Sequence, residues 1–140
     1  MNKNLIIFVF ILIFFPNILL GKSEYFQEGI NLYNKDKFEE ARFKFEQDIV
    51  FNPRSELSYL YLAKIFNKLE KKNLEEQNLS TVILLNPRNE QAIYNLAKLK
   101  LESSDYQKSK ELNQILKTVC KNLCNQSNTL KIEIENLSKK

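Results

Sequence analysis

Apolar residues are distributed along this chain in two ways. From Leu5 to Phe15 they form an unbroken run of 11 residues. Beyond Ser23 they recur three and four residues apart with polar residues between, the pattern of helices that bury one face. A first stripe is Tyr25, Phe26, Gly29, Ile30, Leu32 and Tyr33. A second, after polar Asn34-Lys35-Asp36-Lys37, is Phe38, Ala41, Phe45, Ile49 and Val50. A third starts near Ser55, a helix-capping residue type, and carries Leu57, Leu60, Leu62, Ala63, Ile65, Phe66 and Leu69. A fourth holds Leu74, Leu79, Val82, Ile83 and Leu85. A fifth, with Asn89 as its predicted cap, holds Ala92, Ile93, Leu96, Ala97, Leu99 and Leu101. The sixth holds Tyr106, Leu112, Ile115, Leu116, Val119 and Leu123.

The stripes are punctuated periodically. Asn52-Pro53-Arg54 returns as Asn86-Pro87-Arg88, 34 residues further on. Proline lacks an N–H and pushes the residue before it out of the helical region, so each Asn-Pro predicts a helix end and a sharp turn. A helix terminator at fixed spacing predicts a stacked helical array. Composition agrees: 140 residues contain only two glycines and three prolines, which leaves room for helices with short connections.

Two helices per 34 residues, joined by a short polar turn, resemble the tetratricopeptide repeat. That pattern has an aromatic, then Leu-Gly, then Tyr in the first helix, with Ala, Phe and a closing Pro in the second. The first unit matches with Tyr25, Glu28-Gly29, Leu32, Ala41, Phe45 and Pro53, and its Asp36-Lys37-Phe38-Glu39-Glu40-Ala41 follows the turn between helices closely. The second matches with Tyr59, Leu62-Ala63, Phe66, Glu75, Leu79 and Pro87. The third offers Ile93, Leu96-Ala97, Lys100, Ser109, Asn113 and Lys121. The resemblance implies an all-α, right-handed solenoid of about three units (22–55, 56–89 and 90–121) and a C-terminal capping segment, 122–140. Small Gly29, Ala63 and Ala97 are expected where paired helices cross, facing Ala41 and Ser109. Glu75 departs from this and predicts a shifted or looser second pair. Lys121, in place of proline, predicts a sixth helix able to run on. A capping helix starting at Ser127, Asn128 or Thr129 and carrying Leu130, Ile134 and Leu137 would cover the last unit; the alternative is a frayed tail ending in Lys139-Lys140.

The first 21 residues follow a different logic. Lys3, the apolar run and the small-residue close at Gly21 are in the order of a secretory signal, and 11 apolar residues are short for a span of about 20. Cleavage after Gly21 predicts an exported protein of a bacterial periplasm or cell envelope. Retention of residues 5–20 would instead make an inner-membrane anchor.

Little in the sequence carries chemistry. There is no histidine, which removes the commonest general base and metal ligand. There is no phosphate-binding glycine loop and no nucleophile elbow, so no enzyme activity, metal or cofactor is expected. Glu39-Glu40 and Glu75-Glu76 fall at starts of second helices, where carboxylates suit the helix dipole. The net charge of +4 comes from interleaved acids and bases and does not form a nucleic-acid stripe. Cys120 and Cys124 lack the Cys-x-x-Cys spacing. Three readings stay open for them: a disulfide stapling the cap if the helix breaks near Asn122, two small apolar side chains, or a redox pair.

The resemblance places a working surface on the concave face, where arrays of this type bind peptides of other proteins. The positions implied are Phe26, Ile30 and Tyr33 in the first unit and Leu60, Tyr61, Lys64, Asn67 and Lys68 in the second. In the third they are Tyr94, Asn95, Lys98 and Leu101. Lys64, Lys68 and Lys98 would favour an acidic partner. Phe26, Ile30 and Leu60 are equally suited to packing between helices. The expected role is a non-catalytic protein-binding scaffold, with self-association as a rival.

Overall fold

A computed structural model describes residues 23–138. The leader-like segment and Lys139-Lys140 lie outside them. Within this range the chain is all helix: α1 (Glu24–Tyr33), α2 (Phe38–Phe51), α3 (Glu56–Lys68), α4 (Lys72–Leu85), α5 (Glu90–Glu102), α6 (Tyr106–Val119) and α7 (Cys124–Leu137). The largest contacts join α1 to α2, α3 to α4 and α5 to α6. Lesser ones join each pair to the next, and α7 packs on α6 and reaches α5. This is a quasi-linear stack of three helix pairs closed by a seventh helix.

Each pair turns in the same way. Asp36, Glu70 and Ser104, spaced 34 apart, take positive φ of 56°, 56° and 62°. The next N–H reaches back five residues in each case: Lys37 to Leu32 O at 3.0 Å, Lys71 to Phe66 O at 2.9 Å and Asp105 to Lys100 O at 2.9 Å. That bond, with the preceding N–H bonded three residues back, is the Schellman closure of a helix, built here without the usual glycine.

The joints between pairs repeat as well. Asn86 Nδ2 donates to both Glu56 carboxylate oxygens at 3.0 and 3.1 Å, and Asn89 Nδ2 donates to the same group. Glu90 occupies the equivalent place one unit on. Its Oε2 accepts the backbone N–H groups of Asn122 and Leu123, both at 2.9 Å. Donation from the backbone at Leu123, Lys121 and Asn122 holds the Glu90 carboxyl below the usual carboxylate range. A carboxylate at the start of one unit thus fixes the joint leaving it.

That anchor overturns two expectations. The sixth helix does not run past Lys121: α6 ends at Val119 with Cys120 as its cap residue. The next helix starts at Cys124, earlier than Ser127–Thr129, and Leu123 is its cap residue rather than part of the sixth stripe. The chain breaks without proline because Glu90 takes the backbone N–H groups of the joint and because Cys120 is disulfide-bonded to Cys124 across it. Ser127 is instead buried, with its Oγ donating to Asn113 Oδ1 at 2.8 Å while Asn113 Nδ2 donates to Ser127 O at 2.9 Å. Asn89 caps α5 by accepting from Ala92 N at 2.8 Å. Ser55 makes no such bond; its Oγ faces Ser58 Oγ.

The core falls in two clusters that meet on α3. Phe26, Ala41, Phe45, Leu62, Ile65 and Phe66 form one; Leu60 and Ala63 join α4–α7 residues in the other. Val50, placed in the second stripe, is 74% exposed. The buried line of α2 runs Ala41, Phe45, Asp48, and two residues further along a helix is the opposite face. Asp48, which no hydrophobic pattern marks, is buried with both oxygens satisfied: it accepts the hydroxyls of Ser23 and Ser58, tying the starts of α1 and α3 together.

Paired helices cross at the small residues. A Cβ on Gly29 would lie 2.8 Å from Phe45 Cε1 and 2.9 Å from Cζ. Phe45 cannot easily give way, because it stacks on Tyr61 at 5.0 Å and meets Phe26 edge-on at 5.7 Å. Alanine suits a helix better than glycine by about 1 kcal/mol, but overpacking a filled core costs typically about 1–3 kcal/mol. Gly29→Ala is therefore expected to lower unfolding free energy by about 1 kcal/mol net. Urea denaturation checks this, and an unchanged or higher midpoint would contradict it.

Candidate functional site

The first helices of successive pairs lie side by side, and between α3 and α5 they leave a cleft of about 300 Å³. Periodicity places its walls: Lys64 and Lys98 are equivalent residues of the second and third units. Tyr94 and Asn95 continue the α5 wall, and Asn67 the α3 wall. Gln91 Nε2 donates to Asn95 Oδ1 at 2.8 Å.

Five residues of the sequence-predicted surface therefore come together: Lys64, Asn67, Tyr94, Asn95 and Lys98. The other seven lie outside the cleft lining. Phe26, Leu60 and Leu101 are buried in the core, where their apolar area is already covered. Ile30 and Tyr33 pack against the first core cluster. Tyr61 is the hub of an aromatic group, stacked on Phe45 and edge-on to Tyr33 at 5.2 Å and Phe26 at 6.0 Å. Burial, the neighbouring Tyr61 and the Asp36 charge push the Tyr33 hydroxyl up. Lys68 is exposed.

Three cleft residues were not anticipated: Glu75, Leu99 and Glu102. Glu75 reads from the sequence as a first-turn carboxylate or a loosened crossing, and it is neither solvated nor loose. It is only 5% exposed, at the crossing position held by Ala41 and Ser109 in the other pairs. Asn67 Nδ2 donates to both its oxygens at 3.1 and 3.2 Å. The available signal was the pair of departures, Glu75 and Asn67, eight residues apart in one unit. Burial pushes the Glu75 carboxyl up; Asn67 opposes this, Glu102 adds to it and Lys72 opposes it.

The lysines are also unusual. Lys64 Nζ lies 4.9 Å from the Tyr61 ring centroid, and burial pushes its pKa down. Among the described residues neither Lys64 nor Lys98 has a carboxylate within ion-pair distance, whereas nearby Lys100 is bonded to Glu76 at 2.6 Å. The cleft thus presents two unpaired ammonium groups, one buried carboxylate and Glu102, a mixed lining rather than a basic one. Among the described residues no group of three or more acidic, cysteine or histidine side chains could hold a metal ion.

No protein-family model matches the chain, and no characterised protein matches it in sequence. Solved structures do match it. The Yersinia enterocolitica type III secretion chaperone SycD, in complex with a peptide of the translocator YopD, superposes with a TM-score of 0.73 at 15% identity, over 84% of this chain and 93% of that one. The TPR2B domain of yeast Sti1 in a complex with pHsp70 gives 0.75 at 16%, over 81% and 95%. The first tetratricopeptide domain of Spaghetti (RPAP3), bound to the HSP90 peptide SRMEEVD, gives 0.74 at 14%, over 87% and 99%. At these identities the likeness establishes a tetratricopeptide-like fold.

Because Glu75 has a raised pKa in the folded chain, its ionisation opposes folding. Stability from this group is complete at acid pH and is lost as pH rises from the ordinary carboxylate value to the raised one. Glu75→Gln cannot titrate. Its melting temperature relative to the parent is expected to rise between pH 4 and pH 7; a pH-independent difference would show that the buried carboxylate does not titrate there.

Proposed function

We propose that this chain is a non-catalytic peptide-binding module whose ligand lies along α3 and α5. The observation that carries this reading is the cleft between them, with lysines that have no carboxylate within ion-pair distance among the described residues and an asparagine whose amide is already hydrogen-bonded to Gln91. Polar groups left unpaired beside a cavity are groups a ligand can satisfy. The peptides seated on SycD and on the Spaghetti domain support the same use of the fold.

The module acts outside the cytoplasm, as a scaffold of the cell envelope. Two features support this: the charged, apolar and small-residue order of residues 1–21, and the pairing of both cysteines in a disulfide, a bond that persists in oxidising compartments.

Each half of the proposal has a direct test. A photo-crosslinking amino acid at Tyr94 is expected to capture a discrete partner in cells, and the same group at exposed Phe43 on α2 is not. Equal capture from both positions, or none from Tyr94, would overturn the groove reading. The mass of the chain recovered from its host is expected to correspond to a start at Lys22 with both cysteines oxidised. An intact chain in the membrane fraction would show an anchor instead.

A further inference from the structure

We infer that the end of the cleft formed by Glu75, Asn67 and Glu102 receives a cationic side chain, lysine or arginine, of the bound peptide. This rests on the peptide-binding reading and adds a specificity to it that runs against the acidic partner suggested by the lysines alone.

Three observations carry it. First, the crossing position holds Ala41 in the first pair and Ser109 in the third, both fully buried, so the fold does not require a carboxylate there. Ser109 even satisfies itself locally, its Oγ donating to Ala97 O at 2.8 Å. Second, the partner is equally out of pattern: the position of Asn67 holds Tyr33 and Leu101 in the flanking units. Both departures occur in the middle unit, they bond to each other, and both line the cleft. Asn67 is exposed while Glu75 is buried, so the bond between them draws the carboxylate from the crossing toward the solvent-facing cleft. Third, the surroundings suit a cation. The Asn67 amide supplies only neutral donors, and beyond the positive end of α4 itself no ion pair among the described residues engages the Glu75 carboxylate. Glu102 closes the same end, at the C-terminus of α5, where the helix dipole is negative. Lys72 is the cation that Glu75 feels most within the chain, and it is exposed. Lys64 and Lys98 lie further back along their helices and are left for acidic or carbonyl groups of the same peptide.

The test is selection of a displayed random-peptide library on the purified chain, with Glu75→Ala carried in parallel. Alanine is the residue of the first pair at this position, so this variant is expected to melt no lower than the parent; Glu75→Gln is a second, near-isosteric variant. Peptides selected by the parent are expected to share a lysine or arginine at a fixed position. Replacing that residue by alanine is expected to weaken binding about tenfold or more, the scale of one buried charged hydrogen bond. On Glu75→Ala and Glu75→Gln that difference is expected to vanish, while a substituted peptide binds as before. Peptides without a fixed basic residue, or a preference that survives both substitutions, would overturn the cationic site and leave the groove intact. Failure to select any peptide would overturn both.

Discussion

The close crossing of two helices within each pair is the constraint on which the rest depends. Gly29, Ala63 and Ala97 bring the first helix of each pair against the second, and what faces them decides the character of the pair. In the first pair the absence of a Cβ on Gly29 admits the ring of Phe45, which anchors the aromatic cluster reaching Tyr61. In the third the small Ser109 lets α5 and α6 meet and bonds across the gap. In the second the opposing position carries Glu75, whose carboxylate escapes the crossing toward the cleft and is held by Asn67. The helix crossing, repeated every 34 residues, thus adjoins an aromatic core in the first pair, a polar cleft in the second and a plain helix contact in the third.

The pairs are tied to each other by polar groups rather than by apolar area alone. Glu56 and Glu90 each reach from the start of one unit to the joint that leaves it. Asp48 adds a third tie, between the starts of α1 and α3. Apolar contact is tolerant of sliding, whereas a charge-assisted hydrogen bond fixes register. At the last joint the tie is supplemented covalently, by the disulfide between Cys120 and Cys124. The capping helix can then cover Leu116 and the last unit with Leu130 and Ile134 while most of its other residues stay exposed.

Helix number, order and pairing were legible because they follow from periodicity and from the two Asn-Pro turns, both local in sequence. Five of the eight cleft residues were legible for the same reason: Lys64 and Lys98 are equivalent positions, and Tyr94, Asn95 and Asn67 lie on the same helices. Glu75 and Glu102 were not. A carboxylate in a first helical turn has a sufficient local explanation in the dipole, and nothing in the sequence marks it as buried. Phe26, Leu60 and Leu101 were misleading in the opposite sense, since a residue on the inner side of a helix serves core and groove equally well until the neighbouring helix is in place.

The sequence by itself determined the repeat: its period, its helices, its small crossing residues and the two joints marked by Asn-Pro. These are consequences of backbone sterics and of apolar spacing, which need no knowledge of neighbours. The tertiary structure alone decided where the sixth helix stops, because the group that stops it, Glu90, lies more than thirty residues away in the chain. It alone decided that Glu75 is a buried carboxylate at the edge of a cleft, because burial is a property of what the other helices cover.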